Sequence, residues 1–185
     1  ISISEVLGTY VANVPELFNG RYWFNPVRFV KGIFDRQKFL NVIYEMYEKS
    51  LSMTKEKVQC IRLCELKKVC LFTAYDLVEK RTLFFKSDSL KDSYLNVIDV
   101  MSWSALSAAN YFSSIRAIVS GKWHVFQDGG QSIKNCTLMD CVDEAEIRGW
   151  LDKEEVVILS FGCGHGRTFI SYKEAKEYGI IDSIL

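Results

Sequence analysis

Ile115-Arg116-Ala117-Ile118-Val119, followed by Trp123-His124-Val125-Phe126-Gln127-Asp128-Gly129-Gly130, is the stretch on which the fold turns. β-branched and aromatic residues fill it up to Gln127, and this composition predicts a strand over 115–127. The run then breaks at Asp128-Gly129-Gly130. Two glycines lift the side-chain limits on the backbone, so Asp128 is expected on a turn at the end of that strand. A lone carboxylate at such an edge is where an α/β enzyme holds a catalytic acid or base. A turn aspartate that bonds its own backbone accounts for the same residues without any chemistry.

Working outward, Val69-Cys70-Leu71-Phe72-Thr73-Ala74-Tyr75 is a continuous apolar run, as in a strand buried on both faces. Residues 76–80 read as a turn, and Arg81-Thr82-Leu83-Phe84-Phe85 as its hairpin partner. Glu155 to Phe161 reads as another buried strand, closed by Gly162-Cys163-Gly164-His165-Gly166. Helices are expected after an N-cap at Asp35, with Phe39, Leu40, Ile43, Met46, Tyr47 and Leu51 at helical spacing, and again over 92–112 and 137–150. Residues 13–34, with Pro15 and Pro26, read as irregular, and 55–66 as an amphipathic connector. Strand, helix and strand with Gly-rich ends imply an α/β fold, with 69–75, 115–127 and 155–161 in one sheet. Ligands then bind outside the carboxyl ends of the strands, where Asp128 and the 162–166 loop lie.

The chain has 185 residues, of which 49% are hydrophobic and 14% aromatic, enough for one domain with a buried core. Lys plus Arg equals Asp plus Glu at 23 each, which argues against a nucleic-acid partner, since those proteins carry a basic excess. No apolar run reaches the ~18 residues of a membrane span. The six cysteines form no Cys-x-x-Cys pair, and Cys70 and Cys163 sit in apolar runs as small core residues. A reduced, intracellular setting is therefore expected. Cys136, Cys141, Cys163 and His165 match no zinc spacing, so no metal or other cofactor is expected. The chain opens on Ile1 rather than Met, and residues upstream of it are expected.

The order of these segments resembles the patatin-like phospholipases. In that family an Asp-Gly-Gly turn is followed by a short Asn-containing stretch and a helix; here Asp128-Gly129-Gly130 is followed by Asn135 at the matching place. Lys134 and Cys136 replace the usual Asn and Pro. Ser160-Phe161-Gly162-Cys163-Gly164 is similar to the family's Ser-Leu-Gly-Thr-Gly. Thr73-Ala74-Tyr75-Asp76-Leu77 with Phe84 looks like the family's strand, Asp-Leu turn and hairpin. Ser104 to Phe112 resembles its small-residue helix, with Ala105 and Ala109 in place of Ser and Pro. The resemblance covers roughly residues 69–166.

The resemblance implies a single domain over 1–185, the larger C-terminal part of a patatin-like fold. Its central sheet would be mostly parallel and flanked by helices, without the N-terminal strand and Gly-rich loop. It also implies a lipid acyl hydrolase acting at a membrane surface through a Ser–Asp dyad. The family's nucleophile lies in Gly-x-Ser-x-Gly; Ile1-Ser2-Ile3-Ser4 fits the tail of that motif, making Ser2 the candidate nucleophile and Asp128 its base. Gly8 falls where the following helix often has a small residue, whereas Ser4 replaces the final glycine. Gly129, Gly130 and Asn135 would support the turn. The dyad needs no histidine, so His124 and His165 read as structural, with His124 facing solvent. Nothing in residues 1–30 resembles the Gly-rich oxyanion loop, and losing one oxyanion donor costs ~2.7–4 kcal/mol. A degenerate scaffold of the same family is the competing reading, and a cysteine-built metal-binding regulatory domain a third.

Overall fold

The computed structural model describes residues 3–18, 32–109, 111–131, 136–152 and 156–160. They fall into two compact units, Ile1–Glu144 and Ala145–Leu185. In the first, α1 (Ile3–Leu17) and α2 (Arg36–Leu51) precede a short helix, α3 (Lys55–Gln59), and a 3-10 turn at Leu63–Glu65. Two hairpins follow: β1 (Leu71–Asp76) with β2 (Arg81–Lys86), then, after α4 (Val97–Ala105), β3 (Ile115–Val119) with β4 (Lys122–Asp128). α5 (Leu138–Ile147) ends the described helices.

The four strands form one sheet in the order β2-β1-β4-β3, with every neighbouring pair antiparallel. This corrects the expectation of a mostly parallel central sheet; the class is mixed α and β. The connections give the physical reason. Parallel neighbours need a crossover of about a dozen residues or more. Here four residues join β1 to β2 and two join β3 to β4. Ser120 (φ 51°) and Gly121 (φ 77°) both adopt left-handed backbone, the two-residue turn whose twist matches an antiparallel hairpin. The strand expected over 115–127 is therefore two strands folded back on each other. The hairpin expected of 69–75 and 81–85 forms, with Ala74 opposite Leu83 and Asp76 opposite Arg81.

Among the described residues the apolar core lies on one face of this sheet, and the strands alternate rather than run apolar throughout. Phe72, Ala74, Leu83, Phe85, Ile115, Ala117, Val119 and Phe126 face the core, where α4 adds Val97, Val100 and Trp103. On the opposite face Ile118 and Trp123 are exposed. Phe126 is completely buried and is the hub of the packing. The Trp103 ring stacks on it at 4.8 Å and Phe85 meets it edge-on at 5.8 Å. A second cluster joins α2, α3 and α4 through Tyr44, Val58 and Ile98.

Asp35 caps α2 as expected, its Oδ1 accepting the Gln37 N–H at 2.9 Å. Of the irregular stretch expected over 13–34, residues 13–17 belong to α1 instead. The helix expected over 92–112 is confined to Val97–Ala105. Residues before it turn back on themselves, with Asp92 Oδ2 accepting the Lys86 N–H at 3.1 Å. At its C-cap the Leu106 carbonyl accepts from Arg36 Nε at 2.7 Å. In the second unit α5 closes with the Gly149 N–H on the Glu146 carbonyl and the Trp150 N–H on the Ala145 carbonyl, both at 2.8 Å. Gly149 at φ 63° makes this a Schellman ending. Residues 156–160, expected as a buried strand, have no strand pairing among the described residues, and Val157 and Leu159 are exposed. An apolar run becomes a strand only where another strand accepts its ladder.

Truncating Phe126 removes the ring that Trp103 and Phe85 share. Phe126→Ala is expected to lower stability by about 3–5 kcal/mol, read as a fall in the urea midpoint; a loss below ~1 kcal/mol would remove Phe126 from the centre of the core.

Candidate functional site

Asp128 is the last residue of β4 and sits opposite Ala74 of β1. The residue is half-buried, and its Oδ1 accepts the Gly130 N–H at 2.6 Å. Gly129 and Gly130 continue directly into a 3-10 turn, Gly129–Gln131. Gly129 is buried, and a Cβ there would lie 2.3 Å from Thr73 Oγ1 and 2.9 Å from Thr73 Cβ. Glycine is thus required by close approach to β1 rather than by a left-handed backbone. The carboxylate is presented from a turn locked against the sheet. Ser2 and Asn135 lie outside the described residues, as do Cys163, His165 and the 162–166 loop. Ser4 and Gly8, matched to the elbow and the helix after it, both lie on α1.

A second constellation lies on the core face at the same β1–β4 seam. Asp76 is completely buried. Its Oδ1 accepts the Val78 N–H at 3.0 Å and the Val125 N–H at 3.4 Å, and its Oδ2 lies 2.7 Å from His124 Nδ1. Burial pushes the Asp76 carboxyl upward, but the hydrogen bonds from His124, Val78 and Val125 outweigh it and leave the group below its ordinary value. An ionised carboxylate only accepts, so His124 Nδ1 is the donor. The imidazole also stacks on Phe126, centroids 5.4 Å apart.

His124 therefore does not face solvent; it is 6% exposed. The pleat explains this. Residues two apart share a face, and Phe126 fixes that face as the buried one. Trp123, one residue earlier, takes the open side. Asp76 was readable only as a turn residue, because its partner is 48 residues away.

Glu79, in the β1–β2 turn, completes the group. One donor atom each from Asp76, Glu79 and His124 lie within 4.8 Å of one another. Glu79 Oε2 accepts from Arg81 Nε at 2.6 Å and pairs with Arg81 Nη2. Glu79 and His124 line a cavity of about 170 Å³, shared with Arg81, Lys91, Asp92 and Lys122. The described cysteines form no such group. Cys60, Cys64, Cys136 and Cys141 are exposed thiols and Cys70 is half-buried. Among the described residues no helix is long and apolar enough to cross a membrane. In comparisons with known proteins, no family model and no curated protein matches this chain.

Two outcomes follow from this geometry. A carboxylate held below its ordinary value stabilises the fold above the unfolded-state pKa, and that contribution is lost as pH falls through the folded-state value. In metal-free buffer Asp76→Asn should be less stable than the wild type by about 1–3 kcal/mol at neutral pH. The gap should narrow as the medium is taken below the carboxylate range; a gap in urea midpoints that stays constant with pH would contradict the ionised Asp76 carboxylate. Gly129→Ala should destabilise the turn, and Thr73→Ala should restore part of the loss by removing Oγ1. Equal losses with and without Thr73 would show that the contact does not limit residue 129.

Proposed function

We propose that the protein is a lipid acyl hydrolase in which Asp128 is the base of a Ser–Asp dyad, with Ser2 as the nucleophile that the patatin-like resemblance assigns. The observation that supports this reading is the Asp128 turn. A carboxylate is held at a strand end by the Gly130 N–H, beside a glycine that packing against Thr73 makes obligatory. Asp128 would accept the serine proton while the hydroxyl attacks an ester carbonyl, then pass that proton to the departing alcohol as the ester C–O bond breaks and the acyl-serine forms. Water, deprotonated by the same carboxylate, would then hydrolyse the acyl-serine, releasing the free acid and returning the proton to the serine. The substrate class is an ester presented at a lipid surface. Exposed thiols at Cys60, Cys64, Cys136 and Cys141 fit a reducing compartment, so the reading extends to a cytoplasmic protein meeting membranes peripherally.

A non-catalytic scaffold is the second reading. What favours it is the bond from Gly130 to Asp128 Oδ1, which a purely structural turn aspartate also makes. Ser4, Ala109 and Cys136 depart from the family pattern in the same direction.

The test is hydrolysis of a short-chain ester by the protein expressed with any residues its gene encodes before Ile1. Asp128→Asn keeps the side-chain size but cannot take a proton, so activity should fall by ~10²–10⁴-fold with the thermal midpoint nearly unchanged. Full activity in the Asn variant removes Asp128 from the reaction, and a wild-type protein inactive on every ester tried supports the scaffold.

A further inference from the structure

We infer that Asp76, Glu79 and His124 form a binding site for a divalent cation of the zinc class, independent of the Asp128 turn. Three donors of the right chemistry converge here: an imidazole nitrogen and two carboxylate oxygens, all within 4.8 Å. Their sources are rigid or short. Asp76 ends β1, Glu79 lies three residues on in the tight turn, and His124 stands on β4 across the seam. The set combines full burial of Asp76, near-full burial of His124, and a Glu79 side chain 28% exposed. Three protein ligands with a fourth position open to solvent is the arrangement that zinc adopts at reactive sites. The cavity of about 170 Å³ that Glu79 and His124 line supplies both the entry path and room for that fourth ligand.

Charge and spacing are consistent with such an ion. Two carboxylates neutralise a dication, which offsets the cost of holding the fully buried Asp76 charged. Zinc bonds of ~2.0–2.2 Å set tetrahedral neighbours about 3.3 Å apart. The His124–Asp76 pair at 2.7 Å must therefore open slightly and Glu79 must close in. Glu79 can do so because it sits on a turn and both Arg81 contacts fall on one of its oxygens, Oε2. On binding, the proton leaves His124 Nδ1 for solvent while Nε2 carries a proton, so that the ligand is a neutral imidazole, and the Nδ1 lone pair replaces the N–H···O bond with a bond to the ion. Arg81, Lys91 and Lys122 line the same cavity against Glu79 and Asp92. They oppose a bare cation, and an anionic fourth ligand such as hydroxide would offset them.

The test uses the full chain, freed of metal, with Zn²⁺ and Co²⁺ as probes. One equivalent of Zn²⁺ should remain after dialysis and raise the thermal midpoint. Bound Co²⁺ should give visible d–d absorption without the charge-transfer band of a thiolate ligand, which separates this site from the cysteines. Glu79→Gln, a change in an exposed turn, should weaken Zn²⁺ binding at least about tenfold while leaving the metal-free midpoint nearly unchanged. His124→Gln should abolish stoichiometric binding. A thiolate band, Zn²⁺ affinity equal in wild type and Glu79→Gln, or no retained equivalent in the wild type would each overturn the site.

Discussion

The seam between β1 and β4 is the constraint on which the sheet depends. Each hairpin is local and closes through a short turn. The two hairpins are joined by only three register pairs, Ala74 with Asp128, Tyr75 with Gln127, and Asp76 with Phe126. What extends this short ladder is Asp76. It reaches across to the Val125 N–H and to His124, while the Leu77 N–H bonds the Val125 carbonyl at 2.9 Å. One buried carboxylate thus holds the end of its own strand, the start of the following turn and the neighbouring strand. Burying it costs several kcal/mol unless its lone pairs are met, and they are met from both strands at once. The same register sets Phe126 under Trp103 and Phe85, so the polar seam and the apolar core fix each other.

Both candidate sites grow from this seam. Asp128 is set opposite Ala74, and Gly129 then presses on Thr73 of the same strand. A slip of one residue would turn Phe126 and His124 outward and move the Asp128 turn with them. The chemistry proposed for Asp128 and the cation proposed for Asp76, Glu79 and His124 are separate hypotheses, but a single register positions both.

Local signals in the sequence identified the pieces better than their assembly. Asp35 as a cap, the hairpin around residues 77–80 and the turn at Asp128-Gly129-Gly130 all rest on interactions within a few residues, and each is present. The parallel sheet failed because strand direction is decided by the connections. Ser120-Gly121 inside the 115–127 run is the signal that marks the hairpin: a Ser-Gly pair between two strand-forming segments, Ile115–Val119 and Trp123–Phe126, fits a two-residue turn. Residues 156–160 show the converse, since apolar composition alone does not supply a pairing partner. His124 was misassigned to solvent although Phe126, two residues on, already gave its face. The Asp76–His124 contact itself was not legible, because no periodicity reports a pairing across 48 residues.

A double-mutant cycle on Asp76 and His124 tests the central claim most directly, using Asp76→Asn, His124→Gln and the pair, with stability from urea unfolding in metal-free buffer. If the two side chains tie the hairpins together, their losses are coupled by more than about 1 kcal/mol, as expected for residues in one buried network. Losses that add to within ~0.3–0.5 kcal/mol would mean that the residues act independently, and that the seam is held by its backbone ladder alone.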